Sequence, residues 1–314
     1  MTILVVGDAN ADLSGTLLRY PTEGDDSPLS ALSWGSGGAA VNVATALALL
    51  GGRVRLFARV GTDPAATVAV SAAQRAGVDL SMVQHDEQHA TGLCFAAISA
   101  NGERTFFSFR GANAAFDYQP TSETCADVRW LHICGHALLE GTQRGAALAL
   151  LHAARQQHVP VSLDLCLPLV RAWREEIIDL LPHLHVLFAN ELESTTLCAA
   201  PTHEHVAEQL TRHVATVVLK RGASGCMVAT AAAQLAINGL PVDAVDTNGC
   251  GDAFIAGFLH AHLNGATLPE TAQFANATGA LAATRPGSAD ALPNRATIRT
   301  FLAQHQLDML LRYI

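Results

Sequence analysis

The 314-residue chain predicts an α/β protein built on a doubly wound, mostly parallel sheet. Three observations lead there. The chain opens on an apolar run, residues 2–7, that reads as a strand buried on both faces. From residue 129 onward, short β-rich runs alternate with helical patterns, the signature of parallel strands joined by crossover helices. A glycine-rich turn, Asp246-Thr247-Asn248-Gly249-Cys250-Gly251-Asp252, then opens a helix whose apolar residues Phe254, Ile255, Phe258, Leu259 and Leu263 recur at helical spacing.

Bulk composition narrows the class. Hydrophobic residues make up 50% and charged residues 15%, so the chain is globular rather than disordered. A formal charge of −9 without any Lys/Arg cluster argues against a nucleic-acid partner. No apolar stretch reaches membrane-spanning length. The start lacks a basic region and reaches an acid at Asp8, so it reads as a first strand and not a signal peptide. The 7 cysteines include no C-x-x-C pair, which argues against disulfides and zinc and fits a cytoplasmic location. The one lysine, Lys220, follows Leu219 rather than a glycine, so there is no Walker A loop.

In chain order, strand 2–7 ends at Gly7. Asp8, Asn10 and Asp12 alternate just past its carboxyl end, where α/β sheets bind ligands; an Asx-turn cluster explains them equally well. Gly35 to Asn42 opens an apolar helix to Leu50. Gly35-x-Gly37-x-x-Ala40 imitates a dinucleotide fingerprint. No strong buried strand precedes it and no acid ends the next strand, 54–60, so a dinucleotide-dependent oxidoreductase is disfavoured. Asp63 reads as a helix cap. Runs at 91–98 and 104–109, joined by Ala100-Asn101-Gly102-Glu103, read as a hairpin. Arg110 follows, placed either to reach a substrate or to cap the hairpin in solvent. Strands are then expected at 130–134, 161–165, 186–189 and 216–219, with helices near 142–157, 170–181, 191–198, 204–213 and 268–283.

The glycine-rich turn carries the chemistry. The first turn of a helix has unpaired N–H groups and the positive end of the dipole. Gly249, Cys250 and Gly251 have little bulk to keep an anion away from them. Asp252 then stands beside that anion. A carboxylate next to a phosphate is repulsive unless it has a task, and the task that fits is taking a proton from a hydroxyl that attacks phosphorus. For a lone Gly-x-Gly-Asp, an acid serving only the helix dipole would be the better reading.

The run resembles the Asp-Thr-x-Gly-Ala-Gly-Asp signature of the ribokinase-like (PfkB) carbohydrate kinase family, with Cys250 in place of the usual Ala. Gly37, Gly38 and Asn42 resemble that family's Gly-Gly-x-x-x-Asn, Asn10 and Asp12 its substrate-gripping Asn-x-Asp, and Asn190 and Glu193 its Asn-x-x-Glu. The resemblance spans the chain and implies one kinase domain, 1–314, with a small β lid from about 13–34 and 90–112. It implies transfer of the ATP γ-phosphate to a hydroxyl of a small neutral sugar, with Asp252 as base and Gly249, Cys250 and Gly251 as anion hole. Asn10, Asp12, Gly37, Gly38 and Asn42 would hold the sugar. On the nucleotide side it implies Asn190, a Gly222-x-x-Gly225 turn under the phosphates, and Asn276 beside the adenine. Lys220 would add charge there or face solvent. Glu193 would handle Mg²⁺ indirectly; a first-turn helix acid is the alternative. Asp246, with Asn248, Ala282, Gly287 and Ala291 as further candidates, would hold K⁺. A homodimer would form through the lid.

Three departures narrow the acceptor. Ala39 stands where phosphosugar kinases of the family carry a Lys. Asp164-Leu165-Cys166 is followed by no Arg that could clamp a sugar-acid carboxylate. His136 falls where ribokinase has a Glu. A neutral sugar, polyol or nucleoside remains. A nucleoside kinase is one alternative. A non-catalytic sensor on the same fold is another, although a sensor has no need of a base.

Overall fold

The computed structural model describes residues 2–99, 101, 103–200 and 202–314. The chain begins β1 (Thr2–Val6), β2 (Asn10–Leu17), β3 (Leu29–Gly37), α1 (Ala39–Leu49), β4 (Val54–Gly61), α2 (Pro64–Arg75) and β5 (Val83–Asp86). It continues β6 (Gly92–Ile98), β7 (Arg104–Phe109), β8 (Val128–Cys134), α3 (Gly141–Gln156), β9 (Val161–Asp164), α4 (Leu167–Ala172), α5 (Arg174–Leu180) and β10 (Val186–Asn190). The last part is α6 (Glu191–Cys198), α7 (His203–Leu210), β11 (Thr216–Lys220), β12 (Cys226–Ala229), β13 (Gln234–Ile237), α8 (Cys250–Leu263), α9 (Leu268–Ala283) and α10 (Arg295–Gln304).

The large sheet has the order β13-β12-β11-β10-β9-β8-β1-β4-β5. It is parallel from β11 to β5, and β12 and β13 add an antiparallel edge. Strand alternation explains why β1 reads as a continuous apolar run. Ile3 and Val5 enter the core layer that holds α1, α8 and α9, whereas Leu4 and Val6 enter the layer that holds α3 and α7. Each such fully buried aliphatic side chain contributes about 1.5–3 kcal/mol.

A second, small sheet has the order β3-β2-β6-β7. Asn10 and Asp12 lie in β2 rather than in a turn, so the alternation seen in the sequence is that of a strand. One face of the sheet carries Asp12, Ser14, Cys94, Ala96 and Phe106 toward a cavity. On the other face Leu13 pairs with Trp34 and Phe95, and Phe95 with Phe107. Trp34, Phe107 and Phe109 of this sheet are more than half exposed. The expected hairpin exists as the antiparallel pair β6–β7, closed by the Ser99 N–H to the Glu103 carbonyl at 2.8 Å. Ala100 and Gly102 of its turn lie outside the described residues.

Asp63 caps α2 as expected, its Oδ1 accepting from the Ala65 N–H at 3.0 Å. The single helix expected over 170–181 is instead α4 and α5, broken at Trp173 (φ −137°, ψ 41°). The indole explains the break. Its Nε1 donates to the Leu139 carbonyl at 2.8 Å, and the Arg144 guanidinium stacks 3.6 Å from the ring centroid. These tertiary contacts override local helix propensity. No helix among the described residues is long and apolar enough to cross a membrane.

Candidate active site

The glycine-rich turn ends in Gly249, the N-cap of α8, at φ +72°. That left-handed conformation is cheap only for glycine. Among the described residues, the N–H groups of Gly249, Gly251 and Asp252 meet no protein acceptor. Cys250 differs: its N–H donates to the Thr247 carbonyl at 3.3 Å and its Sγ to the Asp246 carbonyl at 3.5 Å. Of the three expected anion-hole donors, Gly249 and Gly251 are therefore the open ones.

Asp252 sits on the first turn of α8 and receives the Asn42 Nδ2 at 2.7 Å on Oδ2. Asn42 comes from α1, so the contact joins two motifs far apart in the chain. Burial pushes the Asp252 carboxyl up to about 7; the Asn42 hydrogen bond opposes this and Asp164 adds to it. Asn42 Oδ1 is buried without a partner among the described residues and is thus an open acceptor. This contact gives the Asn of the Gly37-Gly38-x-x-x-Asn42 run a structural task.

Across a cavity of about 130 Å³ lies Asp12. Asn42, Phe106, Asn248, Gly249 and Ser288 complete its lining. Ser288 Oγ is 3.0 Å from Asp12 Oδ2 and 2.7 Å from the Ser36 carbonyl. Burial raises the Asp12 carboxyl to about 6, against the Ser288 hydrogen bond, with Asp290 adding to the rise. A Cβ on Gly37 would overlap the Asp12 carboxylate, which explains the first glycine of the Gly37-Gly38 pair. Asn10 Oδ1 accepts from Asn113 Nδ2 at 2.8 Å, and Asn113 Oδ1 in turn accepts from the Ala9 N–H at 2.8 Å.

The structure commits two side chains whose role the sequence leaves open. Arg110 does not cap a hairpin in solvent. Its Nη2 lies 3.0 Å from Asp8 Oδ1 and donates to Gln143, whose Nε2 also holds Asp8 at 3.0 Å. Lys220 does not face solvent either. Its Nζ is 2.6 Å from Asp164 Oδ1 and would be 3.7 Å from a Cβ at Gly251, beside the first turn of α8. Burial works against this ammonium, but Asp164, Glu193 and Asp252 outweigh it and hold its pKa above the ordinary value. Burial likewise raises the carboxyls of Asp164 and Glu193.

Asn190 and Glu193 form a reciprocal capping box at the start of α6, each bond 2.8 Å. Glu193 is thus a helix-cap acid that is also buried near Lys220. Gly222 and Gly225 close the expected turn through the Gly225 N–H to the Gly222 carbonyl at 3.0 Å. Asn276 is buried, and its amide donates to the carbonyls of Ile237 and Asn238 at 3.3 and 3.0 Å. That amide braces the loop after β13, so it is not an open donor for a base.

Asp246 Oδ1 accepts from the Asn248 N–H at 2.8 Å, and Oδ2 from the Gly287 N–H at 2.9 Å. Arg104, from β7, places Nη1 2.9 Å from the same Oδ1. The carbonyl of Ala282 accepts from the Arg285 N–H at 3.3 Å. Among the described residues no three His, Cys, Asp or Glu side chains converge as metal ligands. Residues that the sequence reading did not select are Asp8, Asn113, Gln143, Asp164, Ser288 and Arg104. Only Asp8 left a signal, as the first member of the Asp8-Asn10-Asp12 alternation.

Comparison with known proteins gives the family and the fold. The family described as pfkB family carbohydrate kinase matches residues 2–295. The chain belongs to the pfkB family of carbohydrate kinases, as its motifs implied. It is 30% identical over 302 residues to an ATP-dependent ribose-1-phosphate kinase of Halopiger xanaduensis, covering 96% of this chain and 98% of that protein. It is 31% identical over 312 residues to a fructokinase of Salmonella typhimurium, covering 93% and 96%. The fold matches Arabidopsis thaliana ribokinase complexed with ribose and ATP (TM-score 0.84, 24% identity, 96% of this chain and 98% of that one). It also matches a putative ribokinase II from E. coli in complex with ATP and Mg²⁺ (TM-score 0.86, 22% identity, 97% and 99%).

Proposed function

We propose that this carbohydrate kinase moves the γ-phosphoryl group of ATP to a hydroxyl of a small neutral sugar, with Asp252 as general base. One observation carries the reading: a buried carboxyl with a pKa near 7, at the mouth of α8, is fixed by Asn42, which lines a small cavity together with Asp12. A base poised near the operating pH is what proton abstraction from an alcohol requires. Asp12 and Asn42 Oδ1 accept from sugar hydroxyls, and Asn10, Gly37 and Gly38 shape that end. The reacting hydroxyl gives its proton to Asp252, and its oxygen attacks the γ-phosphorus in line. The bond to the β-γ bridging oxygen breaks and ADP leaves. The Gly249 and Gly251 N–H groups and Lys220 receive the charge that develops on the transferred group.

ATP then lies along Asn190 and the Gly222–Gly225 turn. Three carboxyls, Asp164, Glu193 and Asp252, surround one ammonium, so this end of the site suits a divalent cation carried by phosphates. Bound Mg²⁺ supplies neutralisation of phosphate charge, and Glu193 would hold it through water. The small sheet acts as a lid that excludes water. Its outward face, with Trp34, Phe107 and Phe109, is the surface for a homodimer. Residues 1–314 work as one domain, in the cytoplasm.

Asp12 in the cavity wall and Asp252 bonded to the lining residue Asn42 favour a neutral acceptor, and the modest cavity favours a sugar over a nucleoside. The test is ADP release with fructose, ribose, adenosine and ribose 1-phosphate. Turnover of fructose or ribose is expected. Turnover of ribose 1-phosphate alone would replace the neutral sugar by a phosphorylated one, and no ADP from any acceptor would remove the reading.

Asp12→Ala tests the sugar grip. Loss of a buried acceptor for a hydroxyl costs about 1–3 kcal/mol, so the sugar KM should rise roughly 5- to 150-fold with little change in the KM for ATP. Equal effects on both substrates would mean that Asp12 shapes the fold and not the pocket.

A further inference from the structure

We infer that Arg104, a positioning residue carried on the small sheet, supplies the positive charge that the Asp246 loop needs, so that no monovalent cation binds there. The inference rests on the kinase reading above and concerns how the anion hole is held in shape. Asp246 is buried, and both of its oxygens are already in use. Oδ2 holds the Gly287 N–H, and Oδ1 holds the Asn248 N–H together with the Arg104 guanidinium. A cation on this carboxylate would have to share Oδ1 with a guanidinium 2.9 Å away, and like charges at that range repel. The donor set thus does not fit a bare ion while Arg104 is in place.

The same arrangement ties the lid to the chemistry. Residues two apart on a strand share a face. On β7, Phe106 covers the cavity beside Asn248 and Gly249, and Arg104 reaches Asp246. From Asp246 the contacts run to Asn248, which precedes the anion-hole glycine Gly249, and to Gly287, whose neighbour Ser288 holds Asp12. Lid, sugar grip and anion hole therefore meet at one carboxylate. An ion from solvent would be present whether the lid were open or shut. Arg104 is present only when β7 lies over the cavity.

The experiment compares KCl with choline chloride at matched ionic strength, which holds general screening constant. For the native protein, Tm and kcat are expected to be the same in the two salts. For Arg104→Ala, kcat is expected to fall about 10- to 100-fold, the scale of a misplaced catalytic geometry, with the KM for ATP little changed. This variant should gain Tm selectively in KCl, and K⁺ or guanidinium should restore part of kcat. Arg104→Lys should stay near the native values. A native protein stabilised or activated by KCl over choline chloride overturns the inference. So does an Arg104→Ala protein with unchanged kcat, or one whose loss neither K⁺, guanidinium nor the Lys variant restores. The Tm measurements need no turnover. If they come out as expected while no sugar is phosphorylated, the kinase reading fails and the placement of Arg104 stands.

Discussion

Asp252→Asn is expected to lower kcat by roughly 10²–10⁴ while nucleotide binding persists, the range for loss of a general base. The substitution keeps size and shape. The new amide oxygen can still accept from Asn42 Nδ2, so α1 and α8 stay joined. What disappears is the proton acceptor, and with it a pH dependence. In the native enzyme, burial raises this carboxyl from 3.8 to about 7, so kcat/KM should climb as pH rises through that value. The Asn variant should lack this limb. Stability moves the opposite way. An acid whose folded pKa is raised favours the folded state most below its unfolded pKa and loses that contribution as pH rises toward the folded value. The Asn variant should therefore gain Tm relative to the native protein above pH 7. Activity within a few-fold of native, with the same pH limb, would remove Asp252 from the mechanism.

Lys220→Met should have the largest effect on stability. The side chains of Lys220 and Asp164 are 16% and 14% exposed, so the pair is largely out of water. Removing the ammonium strands Asp164 near Glu193 and Asp252 without its ion-pair partner. Breaking a buried pair from one side costs about 3–5 kcal/mol, because the remaining charge stays desolvated. Urea unfolding should show that loss. The double variant Lys220→Met/Asp164→Leu should recover much of it, since replacing both partners leaves neither charge of that pair buried alone. Turnover should stay low in both, because Lys220 stands beside the anion-hole turn. A single-variant loss below about 1 kcal/mol would mean that the pair is screened like a surface one.

Residues whose role is local were legible from sequence, and residues whose role is a long-range contact were not. Gly249, Gly251 and Asp252 announce a helix mouth because a left-handed glycine, small neighbours and a first-turn acid must be adjacent in the chain. Asn10 and Asp12 show their shared strand face by alternating. Asn42 was selected by motif, but its hydrogen bond to Asp252 appears only once α1 and α8 are packed together. On sequence alone Lys220 and Arg110 stand between ligand and solvent, and in the structure both are committed to buried acids. A single charged residue has no periodicity, so nothing in the sequence pairs Lys220 with Asp164 or Arg104 with Asp246. The helix over 170–181 broke at Trp173 because a distant carbonyl and a distant guanidinium held its ring, information absent from the local pattern.

The small sheet is assembled from two separate excursions of the chain. Asn10 lies opposite Gly92 and Thr16 opposite Ile98, and α1, β4, α2 and β5 are threaded between the two segments. Its β2–β6 ladder cannot form until that whole intervening unit has folded and brought the ends together, so loop-closure entropy places it late in assembly. The order of events reverses on opening. Native-state hydrogen exchange should begin in β2, β3, β6 and β7, and a protease should cut there first, while β1 and β8 at the centre exchange only with global unfolding.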